Sequence, residues 1–419
     1  MYNVVDLMKE IEPHRLFPSN LPSRQFIRFR AEGFTKPVAG VIFRGGEAYK
    51  GVPLGGIGTG HIDLNSDGTL GDCTVFNTFK PRRKLSTPFL AFTTLNNQRL
   101  WVLTLKPIDE QEVTSAKQLE YWGHYPIADV HFETDSAIDV SLRAYSPFLP
   151  GDSLNSNTPA AIFQVRAWNK SGANQTGEIA LSFPGPLHSE VARRAPILTV
   201  QEPQGFIREE VKGGFTGITV TNTRGIGYSL GVTGDEEVRC GPALGLEGNS
   251  WSQLIPQSVA SLSWSSIMYS GASVAVKYSL EPSAEKTVDF ILAWYHPIAN
   301  RPPGTIGPHW NYYSKRFKGP LEIATKVARE HKSILQKILA WQEVVYEAED
   351  LPVWLQDGLV NSFYYIAKCS LWFHKPFKDD WYGDMGVLVM NSANSGLEWS
   401  ECLVDYWHGH FGVLLFFPD

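Results

Sequence analysis

FLAFTTLNNQRLWVL, Phe89 to Leu103, sets two short apolar runs on either side of Asn96 and Asn97. Asparagine tolerates the left-handed backbone of tight turns, so the stretch reads as a β-hairpin. The alternation continues outward. Val130, Phe132 and Thr134 are interleaved with polar neighbours, as are Ile138, Val140 and Leu142. Residues 161–168, 179–183, 218–221, 274–280 and 288–294 repeat the pattern as far as Pro297. Many short strands punctuated by Gly, Pro and Asn predict an antiparallel β-sandwich.

Near Trp310 the period changes. Ile323, Val327, His331, Ile334, Ile338, Trp341 and Val345 recur every three or four residues, which predicts one long amphipathic helix. Asp350-Leu351-Pro352 ends it and opens a second helix, since Pro fits a first helical turn. Leu355, Leu359, Phe363 and Ile366 would form that helix's apolar face, and a third apolar helix is expected over residues 404–417. Three helices cannot close a helical domain of ordinary size. The expectation is therefore a β domain over residues 1–310, followed at 311–419 by the opening part of an α domain.

Bulk properties narrow the function. A chain of 419 residues exceeds the size of one usual core, which fits two domains. The net charge of −6 argues against nucleic-acid and anionic-membrane partners. Cys73, Cys240, Cys369 and Cys402 form no CxxC pair, so neither a structural zinc nor a disulfide framework is expected. The amino terminus lacks the apolar core of a signal peptide, and no run approaches the ~18 apolar residues of a membrane span. A cytoplasmic chain without an integral membrane segment is the expectation.

The segment GVPLGGIGTGHIDLNSDGTLG, Gly51 to Gly71, holds seven glycines and invites a phosphate-binding reading. The dinucleotide fingerprint counted from Gly56 puts His61 where its third glycine belongs, and Gly60 is followed by His61 and Ile62 rather than Lys-Ser/Thr. Neither phosphate motif is present. The glycines serve turns and close backbone approach, or shape a ligand cleft.

Acidic and aromatic residues crowd NSANSGLEWSECLVDYWHGHF, Asn391 to Phe411: Glu398, Glu401 and Asp405 lie among Trp399, Tyr406, Trp407, His408 and His410. Carboxylates supply the nucleophile and acid of glycoside hydrolysis, and aromatic faces stack on sugar rings. Acids ahead of a helix also suit its dipole without any function. His408 and His410, two apart on a helix, point to different sides and make a poor metal pair. No GxSxG elbow supports a serine nucleophile. No cofactor or metal is expected.

Several stretches, in order, carry a resemblance. GVPLGGIGTG (Gly51–Gly60), SPFLPGD (Ser146–Asp152) with Thr158-Pro159 and Phe163, AWYHP (Ala293–Pro297) with Tyr312-Tyr313 and Phe317, and LPVW (Leu351–Trp354) with Asn361-Ser362 span nearly the whole chain. Together they resemble glycoside hydrolase family 116, which includes the non-lysosomal glucosylceramidase and microbial β-glucosidases and β-xylosidases. The resemblance implies an amino-terminal β-sandwich followed by an (α/α)6 barrel, here truncated to its first helices. It implies a retaining β-glycosidase acting on a β-glucoside, oligosaccharide or glycolipid. The family's nucleophile is a Glu after Leu, which Glu398 matches. An Asp ahead of an aromatic helix binds sugar hydroxyls, which Asp405 matches. The spacing between the two is shorter than in glucosylceramidase-like members, so Glu401 competes for the nucleophile role. Tyr406, Trp407 and His408 are candidates to line the sugar subsite.

One part is missing. The family's acid/base is an Asp preceded by Tyr, and no Tyr-Asp dipeptide occurs in this chain. Retaining chemistry needs two carboxyl groups about 5 Å apart. The expectation is an amino-terminal portion that hydrolyses little alone. The alternative is a non-catalytic carbohydrate-binding β domain. Glycoside phosphorolysis is disfavoured, because residues 391–419 contain no Lys or Arg to hold phosphate.

Overall fold

A computed structural model describes residues 5–48, 50–76, 82–191, 205–245, 248–255, 270–298, 310–374 and 387–390. The chain is mostly β. The opening hairpin forms as Leu90–Thr94 against Arg99–Val102, with Thr94 opposite Arg99. The left-handed residue in its turn is Gln98 (φ 52°), while the side-chain Oδ1 of Asn97 accepts from the Thr94 hydroxyl. This hairpin belongs to a six-stranded sheet that continues through Gln175–Phe183, Ala272–Leu280 and Val238–Pro242. An eleven-stranded sheet holds the remaining long strands, with Ala160–Asn169 and Glu285–Tyr295 near its middle.

The two sheets share one core. Phe92, Ile179 and Val274 from the smaller sheet pack in the same buried cluster as Val140, Phe163 and Phe290 from the larger. Each such side chain contributes roughly 1.5–3 kcal/mol by leaving water. The central strands are apolar on both faces, and strand periodicity explains how. Phe163, Val165, Phe290 and Leu292 face the second sheet, while Ala160, Ile162, Ile291 and Ala293 face the other way. The long helix Pro320–Tyr346 lies over that other face, burying Ile323, Val327, Ile334 and Ile338 against it. The sheet therefore has no solvent side at its centre.

Other strands depart from polar-out alternation for a related reason. Asp129, His131, Ser141 and Arg143 sit between apolar neighbours and are buried too. Arg143 grips Asp129 through two bonds of 2.8 and 2.7 Å, and the Leu16 amide donates to His131 Nε2 at 3.2 Å. Burial alone would raise the Asp129 carboxyl; Arg143 and His124 overcome this and hold it low. The amino-terminal strands Phe26–Phe29 and Val38–Arg44 extend this end of the sheet, outside the span whose alternation signals strands.

A buried glutamine fastens the long helix. Gln342 Nε2 donates to the carbonyls of His124 (2.7 Å) and Tyr125 (2.9 Å), while its Oε1 lies 2.9 Å from His124 Nδ1. Gln342→Ala is expected to cost about 2–4 kcal/mol, because it leaves buried polar partners unsatisfied. Urea unfolding measures this, and a loss near zero contradicts the role.

The second helix, Val353–Ser362, corrects the expected apolar face. It ends before Phe363, Leu359 is exposed, and the buried residues are Val353, Gln356 and Val360. Gln356 can be buried because its Nε2 donates to Ala348 O (2.8 Å) and its Oε1 accepts from Arg28 (3.2 Å). Pro352 is the cap residue rather than part of the first turn. The third expected helix lies outside the described residues. Among those described, no helix is long and apolar enough to cross a membrane, and no three His, Cys, Asp or Glu residues group to hold a metal.

On the same helix, burial pushes the half-buried Asp357 carboxyl up to about 7, against the opposing hydrogen bond from Asn361 Nδ2 (3.1 Å). A carboxyl raised on folding contributes stability that is fully present below its unfolded pKa near 4 and lost as pH rises through 7. Asp357→Asn is therefore expected to gain stability relative to the parent between about pH 4 and 7, with a constant difference above that. Melting curves across pH check it; parallel profiles contradict it.

Candidate functional site

The glycine-rich segment forms two short strands, Val52–Leu54 and Ile62–Leu64, joined by a buried turn. Its backbone is bonded to segments far away in sequence. The Ile57 amide donates to Ser156 O and Asn157 Nδ2 donates to Ile57 O, both at 2.7 Å. The Ser146 hydroxyl reaches Gly55 O at 3.3 Å, and Trp294 Nε1 donates to Thr59 O at 2.8 Å. Arg316 donates to Asn157 O. Tyr313 OH donates to His296 O at 2.8 Å and accepts from the His296 amide at 3.1 Å. Segments noted separately in the sequence are thus joined here: Ser146, Ser156–Asn157 and Trp294 bond the turn directly, while Tyr313 and Arg316 connect through His296 and Asn157.

Two glycines show why the turn needs them. A Cβ on Gly56 would stand 2.3 Å from Ser156 O. Gly58 has φ +65°, and its Cβ would stand 2.4 Å from Trp372 Cβ and 2.5 Å from the Trp372 amide nitrogen. The Gly58 amide donates to Ser370 Oγ at 2.7 Å, and the Thr59 amide donates to Gly56 O. These amides are spent inside the protein, so the turn is no phosphate cradle.

The carboxy-terminal side supplies the facing wall. Helix Tyr364–Cys369 leads into strand Ser370–His374, which pairs with Trp310–Asn311 on one side and Val387–Met390 on the other. Tyr312 stacks on Trp372 with ring centres 4.3 Å apart. Below the turn, Lys368 Nζ meets Asp63 Oδ2 at 2.7 Å, both buried. Burial raises the Asp63 carboxyl against the pull of that ammonium. The fully buried His61 Nε2 lies 3.6 Å from Asp63 Oδ1, and neither atom has a hydrogen-bond partner. Burial, with Lys368, Arg82 and Lys50 nearby, keeps the imidazole neutral. Thr74 Oγ1 accepts from the His61 amide at 3.0 Å and lies 3.1 Å from His61 Nδ1, which holds the ring with its Nε2 edge toward Asp63.

Glu398, Glu401, Asp405, Tyr406, Trp407 and His408 lie outside the described residues, as does His410. The register ends with Ser370 opposite Met390, eight residues before Glu398. Asp63, Lys368, Ser370 and Trp372 are site-region residues that sequence patterning missed. One signal was available: Lys368 is the only charge in YYIAKCSLWF, Tyr364 to Phe373. A lone cation in such a run needs a buried partner.

A solved structure titled "Putative kojibiose phosphorylase from human microbiome" matches at 12% identity and TM-score 0.28, covering 82% of this chain and 34% of that one. The chain thus spans about a third of that protein's length, and a likeness of that degree fixes neither fold nor chemistry. The family model described as "beta-glucosidase 2, glycosyl-hydrolase family 116 N-term" matches residues 51–239 and 242–334. That span begins at the glycine-rich segment and takes in Ser146–Thr158 and Trp294, which bond its turn, and Arg316, which bonds Asn157. The chain belongs to glycosyl-hydrolase family 116.

Proposed function

We propose that the chain is the nucleophile-bearing part of a retaining β-glycosidase that acts on β-D-glucosides. In this reading residues 1–310 form the β domain and residues 311–419 begin a helical catalytic domain. Glu398 attacks the anomeric carbon and expels the aglycone, giving a covalent glycosyl-enzyme that water then cleaves. Asp405 holds ring hydroxyls, Tyr406, Trp407 and His408 line the subsite, and Glu401 is the competing nucleophile. The observation that carries the reading is the convergence of the separated family segments on the Gly55–Gly60 turn, beside the strand pair whose register ends eight residues before Glu398.

No family-type Tyr-Asp acid/base occurs in the 419 residues, so these residues by themselves offer the leaving group no family-type proton donor. General acid catalysis is typically worth ~10²–10⁴-fold, and ordinary glucosides should react slowly. A dinitrophenyl β-glucoside needs no acid to depart. The expected result is a burst of dinitrophenolate stoichiometric with protein, then slow turnover. Azide, which attacks without base assistance, should accelerate that turnover and release the β-glucosyl azide. Absence of a burst overturns the reading.

A further inference from the structure

We propose that Gly58 and Ser370 are positioning residues, and that the Gly55–Gly60 turn is the seat that sets where the nucleophile stands. This rests on the function proposed above and assigns the glycine-rich segment a task within it. The turn is anchored on the β domain from three directions, by Ser156 O on the Ile57 amide, Asn157 on Ile57 O and Trp294 on Thr59 O. Its free face is pressed to strand Ser370–His374, where the Gly58 amide bonds Ser370 Oγ and the Gly58 Cα lies against Trp372. Tyr312 stacks on that tryptophan. Ser370 is the partner of Met390 in the register, so the pinned residue shares a rung with the last described residue before Glu398. A side chain on Gly58 cannot fit without moving the Trp372 backbone, and with it the rung.

Gly58→Ala tests this against Gly45→Ala. Gly45 has the same φ of +65° but nothing within 4 Å of its Cβ, so that variant carries the backbone strain without the displacement. Ser370→Ala removes the hydroxyl without adding bulk and decides the matter if Gly58→Ala fails to fold; Ser370→Thr restores the hydroxyl. Gly58→Ala and Ser370→Ala are expected to slow the dinitrophenolate burst by about tenfold to 10²-fold. The glucoside concentration for half-maximal burst rate should stay within about threefold. Gly45→Ala and Ser370→Thr should match the parent. Hydrogen exchange supplies a readout independent of activity: amides over 387–398 should exchange faster in Gly58→Ala and Ser370→Ala, with those over 160–169 unchanged. A folded Gly58→Ala or Ser370→Ala with parental exchange over 387–398 overturns the inference. So does a parental burst rate. If the parent protein gives no burst, the glycosidase reading falls, and the exchange arm still decides whether the turn seats this strand pair.

Discussion

Lys368→Met is expected to destabilise the protein by about 3–5 kcal/mol at neutral pH, as removal of one partner from a buried ion pair does. The two side chains have similar length, so the loss is electrostatic rather than a matter of volume. Asp63 is left in a fully buried site with His61 Nε2 3.6 Å away. Its carboxyl is already raised by burial, and without the ammonium it rises further. A group whose pKa is raised on folding contributes stability below its unfolded value and loses it as pH climbs. The gap between parent and variant should therefore narrow toward pH 4 and widen toward neutrality. Adding Asp63→Asn should recover much of the loss by removing the stranded charge. Urea unfolding at several pH values measures both effects. A pH-independent loss under about 1 kcal/mol would match an exposed pair instead.

Glu398→Gln should abolish the dinitrophenolate burst. Loss of a nucleophile costs on the order of 10⁴–10⁶ in rate where catalytic groups act as a unit. Glutamine keeps the size and hydrogen-bonding capacity but cannot form the acylal bond to the anomeric carbon. Glu401→Gln should leave the burst within about tenfold of the parent, since its proposed role is none in bond formation. If the two variants exchange these behaviours, the nucleophile is Glu401.

The β character was legible where the period was unopposed. Leu90–Thr94 and Arg99–Val102 stand out because apolar runs flank a polar turn, and Pro320–Tyr346 stands out because its stripe faces one sheet. Legibility failed where polar residues were buried by specific bonds. Gln342 and Gln356 face inward on their helices because each finds carbonyl acceptors there, which no hydrophobic period registers. Asp129 and Arg143 mimic solvent-facing alternation in the sequence yet satisfy each other inside. The glycine-rich segment lacks both phosphate motifs in sequence, but nothing in the sequence reveals its partner. Gly58 and Trp372 are 314 positions apart, and only tertiary packing brings them together. Glu398 and Asp405 are distinguished only by resemblance to the family, since a cluster of acids and aromatics has no unique geometry in sequence.

The most direct measurement is covalent trapping. The protein is incubated with dinitrophenyl 2-deoxy-2-fluoro-β-glucoside, digested, and the sugar-bearing peptide sequenced by mass spectrometry. The glycosidase account predicts a single fluoroglucosyl adduct on Glu398. An adduct on a residue outside 391–411, or none on protein that remains folded, contradicts it.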